Sequence, residues 1–381
     1  MSTPDTPRST GATVHVREAI TALPAYVPGP RPGSDDVAKL SSNELPFPAQ
    51  DAVVEAVARA AAGINRYPQM AGDSLVAAIA ARYSDQGVTP EQVVVGNGSV
   101  ALIQHVLDTV CDEGDEVVLP WRSFEAYPIC VVVAGATAVK VPVTADGRHD
   151  VPAMLAAITP RTRVVMACSP NNPTGPALTA AELRQLVDGV PEDVLLLVDE
   201  AYLDFVTDDA VGDALDLLDG HPNLVVSRTF SKAHALAGMR VGYLIAEPGI
   251  IAAVRAVATP FGVNLPAQAA AVAALDPEVL AETARRAGVV AEELMFAGHA
   301  PTPFAAARWL ESIGLDSLAG LPIGNVDPAA RIRLLLELAA LRKGVEGLVL
   351  VAPDRHGGEP APWWRIAREF AERGDAVLVI A

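Results

Sequence analysis

The sequence predicts a doubly wound α/β domain, and three observations carry that prediction. Between about Val93 and Tyr243, short β-branched runs alternate with segments of helical periodicity. One of those runs, Val194-Leu195-Leu196-Leu197-Val198, is apolar at every position, as a parallel strand covered on both faces requires. The chain has 381 residues and is 51% hydrophobic, ample for a large core and two domains.

Each element has its own justification. Val93-Val94-Val95 reads as a strand entering the turn Gly96-Asn97-Gly98-Ser99, and Val100 to Val110 reads as the helix that follows. The free N–H groups and dipole of such a helix make a phosphate seat, although short glycine turns also serve ordinary strand-to-helix connections. Val164-Val165-Met166-Ala167-Cys168 reads as a further strand. It leads into the rigid turn Ser169-Pro170-Asn171-Asn172-Pro173-Thr174-Gly175, where Asn172 can donate to a phenolate. The run 194–198 ends in Asp199-Glu200-Ala201-Tyr202. An acid at the end of a buried strand is costly unless a cation or donors meet it, or unless it caps a following helix.

Ser227-Arg228-Thr229-Phe230-Ser231-Lys232 carries the chemistry. A lysine flanked by hydroxyl residues, with Arg240 eight positions on, can condense with an aldehyde while its neighbours hold a phosphate. Pyridoxal 5'-phosphate (PLP) needs both services. Alone, the stretch reads equally as a surface lysine in a Ser/Thr-rich loop. Asp199 strengthens the chemical reading, because a carboxylate beside a protonated pyridine nitrogen keeps the ring able to accept electrons.

Taken together, these segments resemble the fold-type I PLP aminotransferases, within the histidinol-phosphate and aromatic amino acid aminotransferase group. The resemblance runs from about Tyr26 to about Leu275 and rests on ordered motifs. These are Leu40-Ser41-Ser42-Asn43-Glu44, Asn65-Arg66-Tyr67-Pro68, Gly96-Asn97-Gly98-Ser99, Ser123-Phe124-Glu125-Ala126-Tyr127-Pro128, Asn171-Asn172-Pro173-Thr174-Gly175, Asp199-Glu200-Ala201-Tyr202 and Phe230-Ser231-Lys232 through Arg240. It implies a large domain with a mixed, mostly parallel sheet and helices on both faces, plus a smaller C-terminal α/β domain. The expected division is an N-terminal arm over 1–40, partly disordered, a PLP-binding domain over 41–265 and an atypical C-terminal domain over 266–381.

The resemblance also implies roles. Lys232 binds the cofactor aldehyde and later moves a proton, Asp199 pairs with the pyridine nitrogen, and Asn172 and Tyr202 contact its phenolic oxygen. Phe124 stacks on the ring, giving face contact only since it lacks a hydroxyl. Gly98, Ser99, Thr229, Ser231 and Arg240 surround the phosphate, and the planar fork of Arg240 suits two phosphate oxygens. Tyr67 reaches into the partner subunit's site, so a homodimer with shared active sites is implied. Tyr26 and Asn43 fall at substrate-side positions, although Tyr26 and Tyr67 also fit as part-buried structural tyrosines.

Within the group, Val100-Ala101-Leu102 stands where histidinol-phosphate enzymes usually carry acidic residues. With Trp121 to Pro128 it looks more like the actinobacterial aromatic amino acid aminotransferases, and a less charged wall suits an aromatic substrate. The expected reaction moves the amino group of an aromatic L-amino acid to 2-oxoglutarate by a ping-pong route, between small amino acid and 2-oxo acid substrates. Histidinol-phosphate transamination is the alternative. After about Leu275 the chain departs from the family: it has no Asn-Phe pair, and Arg331 and Arg333 sit in an amphipathic helical pattern. That departure keeps open an amino-acid phosphate decarboxylase, or a PLP-binding protein without turnover. The tail itself predicts a β-α-β unit, with strands over 347–352 and 376–380 around a helix over 363–373.

Composition excludes other classes. A net charge of −18 disfavours nucleic acid and anionic membranes as partners. No apolar run is long enough for a membrane span, no signal-peptide pattern opens the chain, and a cytoplasmic enzyme is expected. Met1 to Ala12 is Ser/Thr/Pro-rich and expected to be disordered. Cys111, Cys130 and Cys168 offer neither a disulfide frame nor a zinc spacing, so no metal is expected. His234 is the histidine nearest Lys232.

Overall fold

The computed structural model describes residues 16–23, 43–45, 48–206, 208–288, 310, 315, 330, 332–334, 336–337, 348–351, 360–373 and 377–380. Seven strands form one sheet: β1 (Val93–Gly96), β2 (Glu116–Trp121), β3 (Thr137–Pro142), β4 (Thr162–Cys168), β5 (Leu195–Asp199), β6 (Leu224–Thr229) and β7 (Gly242–Ala246). Their spatial order is β1-β7-β6-β5-β4-β2-β3. β3, β2, β4, β5 and β6 pair in parallel, whereas β7 runs antiparallel to both β6 and β1. The sheet is therefore mixed and mostly parallel.

The all-apolar runs are explained by what covers them. On β5, Leu196 and Val198 face one core and Leu195 and Leu197 the other. The first core is closed by the helices Asp73–Arg82, Val151–Ala156, Ala180–Gly189 and Leu265–Ala274, and the second by Ser99–Val110, Ala126–Ala134 and Pro248–Val257. With both faces dry, alternation vanishes and only β-branched or aliphatic side chains remain. Asp199 breaks this pattern at the last position of β5, on the face shared with Leu197.

One detail differs from the sequence reading. No α-helix follows Asp199: the chain turns through Ala201 and Tyr202 into a 3₁₀ turn at Leu203–Phe205, so a helix-capping role for this carboxylate has no helix to cap. The first core includes residues on both sides of position 265. Val263, Ala267, Ala270, Ala271, Ala274 and Leu275 belong to the same core as Val53 of the helix Asp51–Ala61. In the C-terminal part, β8 (Leu348–Val351) pairs in parallel with β9 (Val377–Ile380), joined through the helix Pro360–Glu372, the β-α-β unit expected from the sequence. Residues 330, 332–334 and 336–337 are helical, and Arg333 pairs with Glu369 at 3.4 Å. Among the described residues, no helix is long and apolar enough to cross a membrane.

Candidate active site

The carboxyl ends of β1, β4, β5 and β6 lie along one edge of the sheet. Gly96 pairs with Gly242, Gly242 with Thr229, Ser227 with Asp199 and Asp199 with Cys168. Open α/β sheets place ligands at such an edge, where strand order reverses.

Asp199 is 3% exposed, and its two oxygens are treated differently. Oδ2 accepts a hydrogen bond from the Tyr127 hydroxyl at 2.7 Å. Oδ1 is buried with no hydrogen-bond partner. Burial pushes this carboxyl up to about 6, although hydrogen bonding from Tyr127 and the Ala201 backbone and the nearby Lys232 charge pull the other way. A half-satisfied carboxylate in a dry site is a strong demand for a cationic donor.

Lys232 lies beyond the end of β6. Its Nζ donates to the Asn43 carbonyl at 3.3 Å and stands 5.6 Å from the centre of the Tyr202 ring. The Asn43 side-chain amide donates to the Tyr202 hydroxyl at 3.0 Å. Three residues far apart in sequence, Asn43, Tyr202 and Lys232, thus form one cluster. Asn43 holds φ 50°, a left-handed conformation that asparagine tolerates better than most residues.

A second cluster holds the expected phosphate residues. The helix Ser99–Val110 starts at Gly98 with no side-chain cap, so its first N–H groups have no side-chain acceptor among the described residues. Arg240 Nη1 donates to Ser231 Oγ at 3.2 Å, and Thr229 Oγ1 accepts from the Ser231 N–H at 3.1 Å. No carboxylate pairs with Arg240 among the described residues. Gly98 has φ 85°, and a Cβ there would stand 2.6 Å from Arg240 Nη2. A Cβ on Gly242 would stand 2.7 Å from the Ser99 amide nitrogen. Both glycines let an arginine and a helix start converge on one point, where a guanidinium and helix N–H groups together suit an anion.

Phe124 is half-buried and meets Tyr127 edge-on, with ring centroids 5.5 Å apart at 90°. Its position is fixed by Asn171, whose side chain accepts from Ser123 Oγ at 2.7 Å and donates to the Arg122 carbonyl and to Thr174 Oγ1. Asn171 therefore staples the turn holding Asn172 to the segment holding Phe124. Sequence reasoning passed over both Asn171 and Tyr127. For Tyr127 the available signal was an aromatic three positions after Phe124 at a helix start, the spacing that brings two rings together.

Other expected residues fall elsewhere. Tyr67 is 82% exposed and stacks on Phe261 at 4.7 Å. Tyr26 lies outside the described residues. His234 is buried against Phe230, with Nε2 3.7 Å from Asp204, and burial holds its pKa below the usual imidazole value. Leu102 does not form a substrate wall: it is fully buried, and a Cβ on Gly96 would stand 2.5 Å from its Cγ. Val100 also packs into the core behind the sheet. The apolar character of this helix start is thus explained by packing against β1.

The sequence model of the class I and II aminotransferases matches residues 35–294. The chain belongs to the class I and II aminotransferases. This aminotransferase is 50% identical over 283 residues to the aromatic amino acid aminotransferase of Rhodococcus jostii, covering 74% of this chain and 76% of the relative. It is 44% identical over 348 residues to the enzyme of the same name from Rhodococcus erythropolis, covering 90% and 93%. Among solved structures, histidinol-phosphate aminotransferase from Sinorhizobium meliloti in complex with PLP superposes with a TM-score of 0.67 at 28% identity. That match covers 75% of this chain and 78% of the other. The aminotransferase is thus a PLP-dependent transferase of fold type I, and residues after 294 lie outside the family match. Its site fits that cofactor: the unpartnered Asp199 oxygen suits a pyridinium nitrogen, and the uncapped helix start with Arg240 suits a phosphate.

Proposed function

We propose that this aminotransferase moves the amino group of an aromatic L-amino acid to 2-oxoglutarate in a ping-pong cycle. The observation that carries the site assignment is Asp199, buried with one oxygen unpartnered on the sheet edge that also bears Lys232. Aromatic specificity rests on the Rhodococcus relatives at 44–50% identity. PLP, when bound, supplies an electron sink for the bond broken at the substrate Cα.

The chain's own residues do the rest. Lys232 would hold the cofactor at its aldehyde carbon, and its amine would move the proton at the substrate Cα, which makes it the catalytic residue. Asp199 holds the pyridine nitrogen in its cationic form. Asn172 and Tyr202 donate to the phenolic oxygen, and Asn43 orients the Tyr202 hydroxyl. Phe124 covers one ring face. Gly98 and Ser99 offer backbone N–H groups to the phosphate, joined by the hydroxyls of Thr229 and Ser231 and the guanidinium of Arg240.

The same reading includes a large domain over 41–265, a cytoplasmic enzyme and a homodimer in which Tyr67 reaches the partner's site. The exposed Tyr67–Phe261 pair, with Ile64 and Met70 also exposed, supports that last point. Tyr26 is assigned to the substrate side by resemblance alone.

The test is the visible absorbance of the PLP-loaded protein, before and after adding phenylalanine, glutamate or histidinol phosphate separately. Loss of the band with phenylalanine and with glutamate, but not with histidinol phosphate, is expected. A band that persists with all three overturns the reading. Lys232→Ala is expected to leave no borohydride-reducible link to the cofactor; a link that survives would mean another lysine carries it.

A further inference from the structure

We infer that Tyr127 is a positioning residue that keeps the Asp199 carboxylate anionic and so keeps the shared proton on the cofactor's pyridine nitrogen. The inference rests on the proposed pairing of Asp199 with that nitrogen.

The geometry separates the two oxygens of Asp199. Tyr127 rises from the helix Ala126–Ala134, is fully buried and gives its hydroxyl proton to Oδ2 at 2.7 Å. Oδ1 is left for a ligand. A carboxyl group in a dry site tends to take up a proton and become neutral, and a neutral acid cannot hold a pyridinium. A phenol O–H aimed at one oxygen opposes this, because it stabilises the anion more than the acid. The phenol does not lose its proton to the carboxylate, since burial raises its own pKa well above the ordinary tyrosine value. It therefore acts as a fixed donor and takes no part in proton transfer.

The other titratable groups facing Asp199 do not supply this donor. Cys168 is its neighbour on β4, but that thiol donates to the Pro170 carbonyl at 3.4 Å. Lys232, beyond β6, contributes charge and donates to the Asn43 carbonyl. Ser227 on β6 pairs in register with Asp199, yet its buried hydroxyl has no hydrogen-bond partner. Tyr127 is thus the one side chain that donates to Asp199 among the described residues. Its ring also meets Phe124 edge-on. One tyrosine links the group expected over the cofactor face to the group expected at its nitrogen.

Tyr127→Phe removes the donor while keeping the ring and its contact with Phe124. The proton then shifts toward Asp199, the cofactor ring loses positive charge, and the Lys232–cofactor linkage becomes easier to protonate. The expected result is a spectrophotometric pH midpoint for that linkage about one pH unit higher than in wild type, with kcat reduced roughly tenfold and KM little changed. In an Asp199→Asn background the same substitution is expected to change nothing further, as a double-mutant cycle demands.

The arms of the experiment separate the two assignments. If Asp199→Asn moves the midpoint and Tyr127→Phe does not, the role of Tyr127 is overturned and the pairing of Asp199 stands. If Asp199→Asn itself leaves the midpoint in place, the pairing fails and the inference falls with it. Should Tyr127→Phe fold poorly, a difluorinated tyrosine at position 127, a stronger donor, must lower the midpoint; an unchanged or raised midpoint overturns the inference.

Discussion

Asp199→Asn is expected to stabilise the cofactor-free protein near neutral pH while weakening its hold on PLP. Burial raises the Asp199 carboxyl from 3.8 to about 6. At 1.36 kcal/mol per tenfold change in proton affinity, that separation corresponds to about 3 kcal/mol. The sign follows from linkage. The folded state binds this proton more tightly than the unfolded state, so the contribution is fully present below pH 3.8 and is lost as pH rises through about 6. Asparagine has no such dependence, and its carbonyl still accepts from Tyr127. Urea unfolding of both cofactor-free proteins at about pH 4 and about pH 8 reads the difference. Wild type should lose between about 2 and 3 kcal/mol relative to the variant across that interval, since at about pH 4 the unfolded carboxyl is already partly ionised. Added PLP should restore wild type at the higher pH and do little for the variant, because ligand binding stabilises only the state that takes it. Parallel pH profiles for the two proteins would refute the claim that Asp199 is a buried, half-satisfied acid.

Three other outcomes are expected. Arg240→Ala should raise the PLP dissociation constant roughly 10- to 100-fold, the loss of charge-assisted bonds to a dianion, read by titrating apo-protein with the cofactor. Gly98→Ala should weaken PLP binding roughly tenfold by combining a left-handed backbone with displacement of the Arg240 guanidinium. The two substitutions together should cost less than the sum, since they disturb one contact. Glu200→Gln should lower stability by about 3 kcal/mol in denaturant unfolding. It leaves buried Arg228, which now bonds Glu200 at 2.8 Å and Asp213 at 2.6 Å, with a single carboxylate.

The buried strands and the C-terminal β-α-β unit were legible because apolar runs of β-branched and aliphatic residues have few other uses. The direction of β7 was not legible: Gly242–Ala246 is as apolar as its parallel neighbours, and composition carries no sign of chain direction. Leu102 misled for a related reason. An apolar residue after a glycine turn reads the same whether it faces a ligand or, as here, Gly96 on the strand behind it. Lys232 stood out by its flanking hydroxyls and Tyr202 by its place after Asp199, whereas Asn43, 189 positions from Lys232, entered by resemblance alone. Tyr127 was missed because a tyrosine in an apolar helix looks like core, and it is core except for one oxygen.

The antiparallel joint between β1 and β7 has a consequence for how the enzyme comes into being. Among the described strands β1 sits at the sheet's margin and pairs only with β7, about 150 residues later, so Gly98 cannot meet Arg240 until β2 to β6 have been made. Contacts of such long sequence separation form late. On the ribosome, the phosphate cradle is therefore absent until most of the large domain has emerged. A chain interrupted just before residue 240 carries the glycine turn, Asp199 and Lys232, but it lacks the arginine and the strand β7 that joins β1 to β6. Cofactor capture thus reports that the sheet has closed, and PLP added during refolding should join at the last step and leave earlier ones at their own rates.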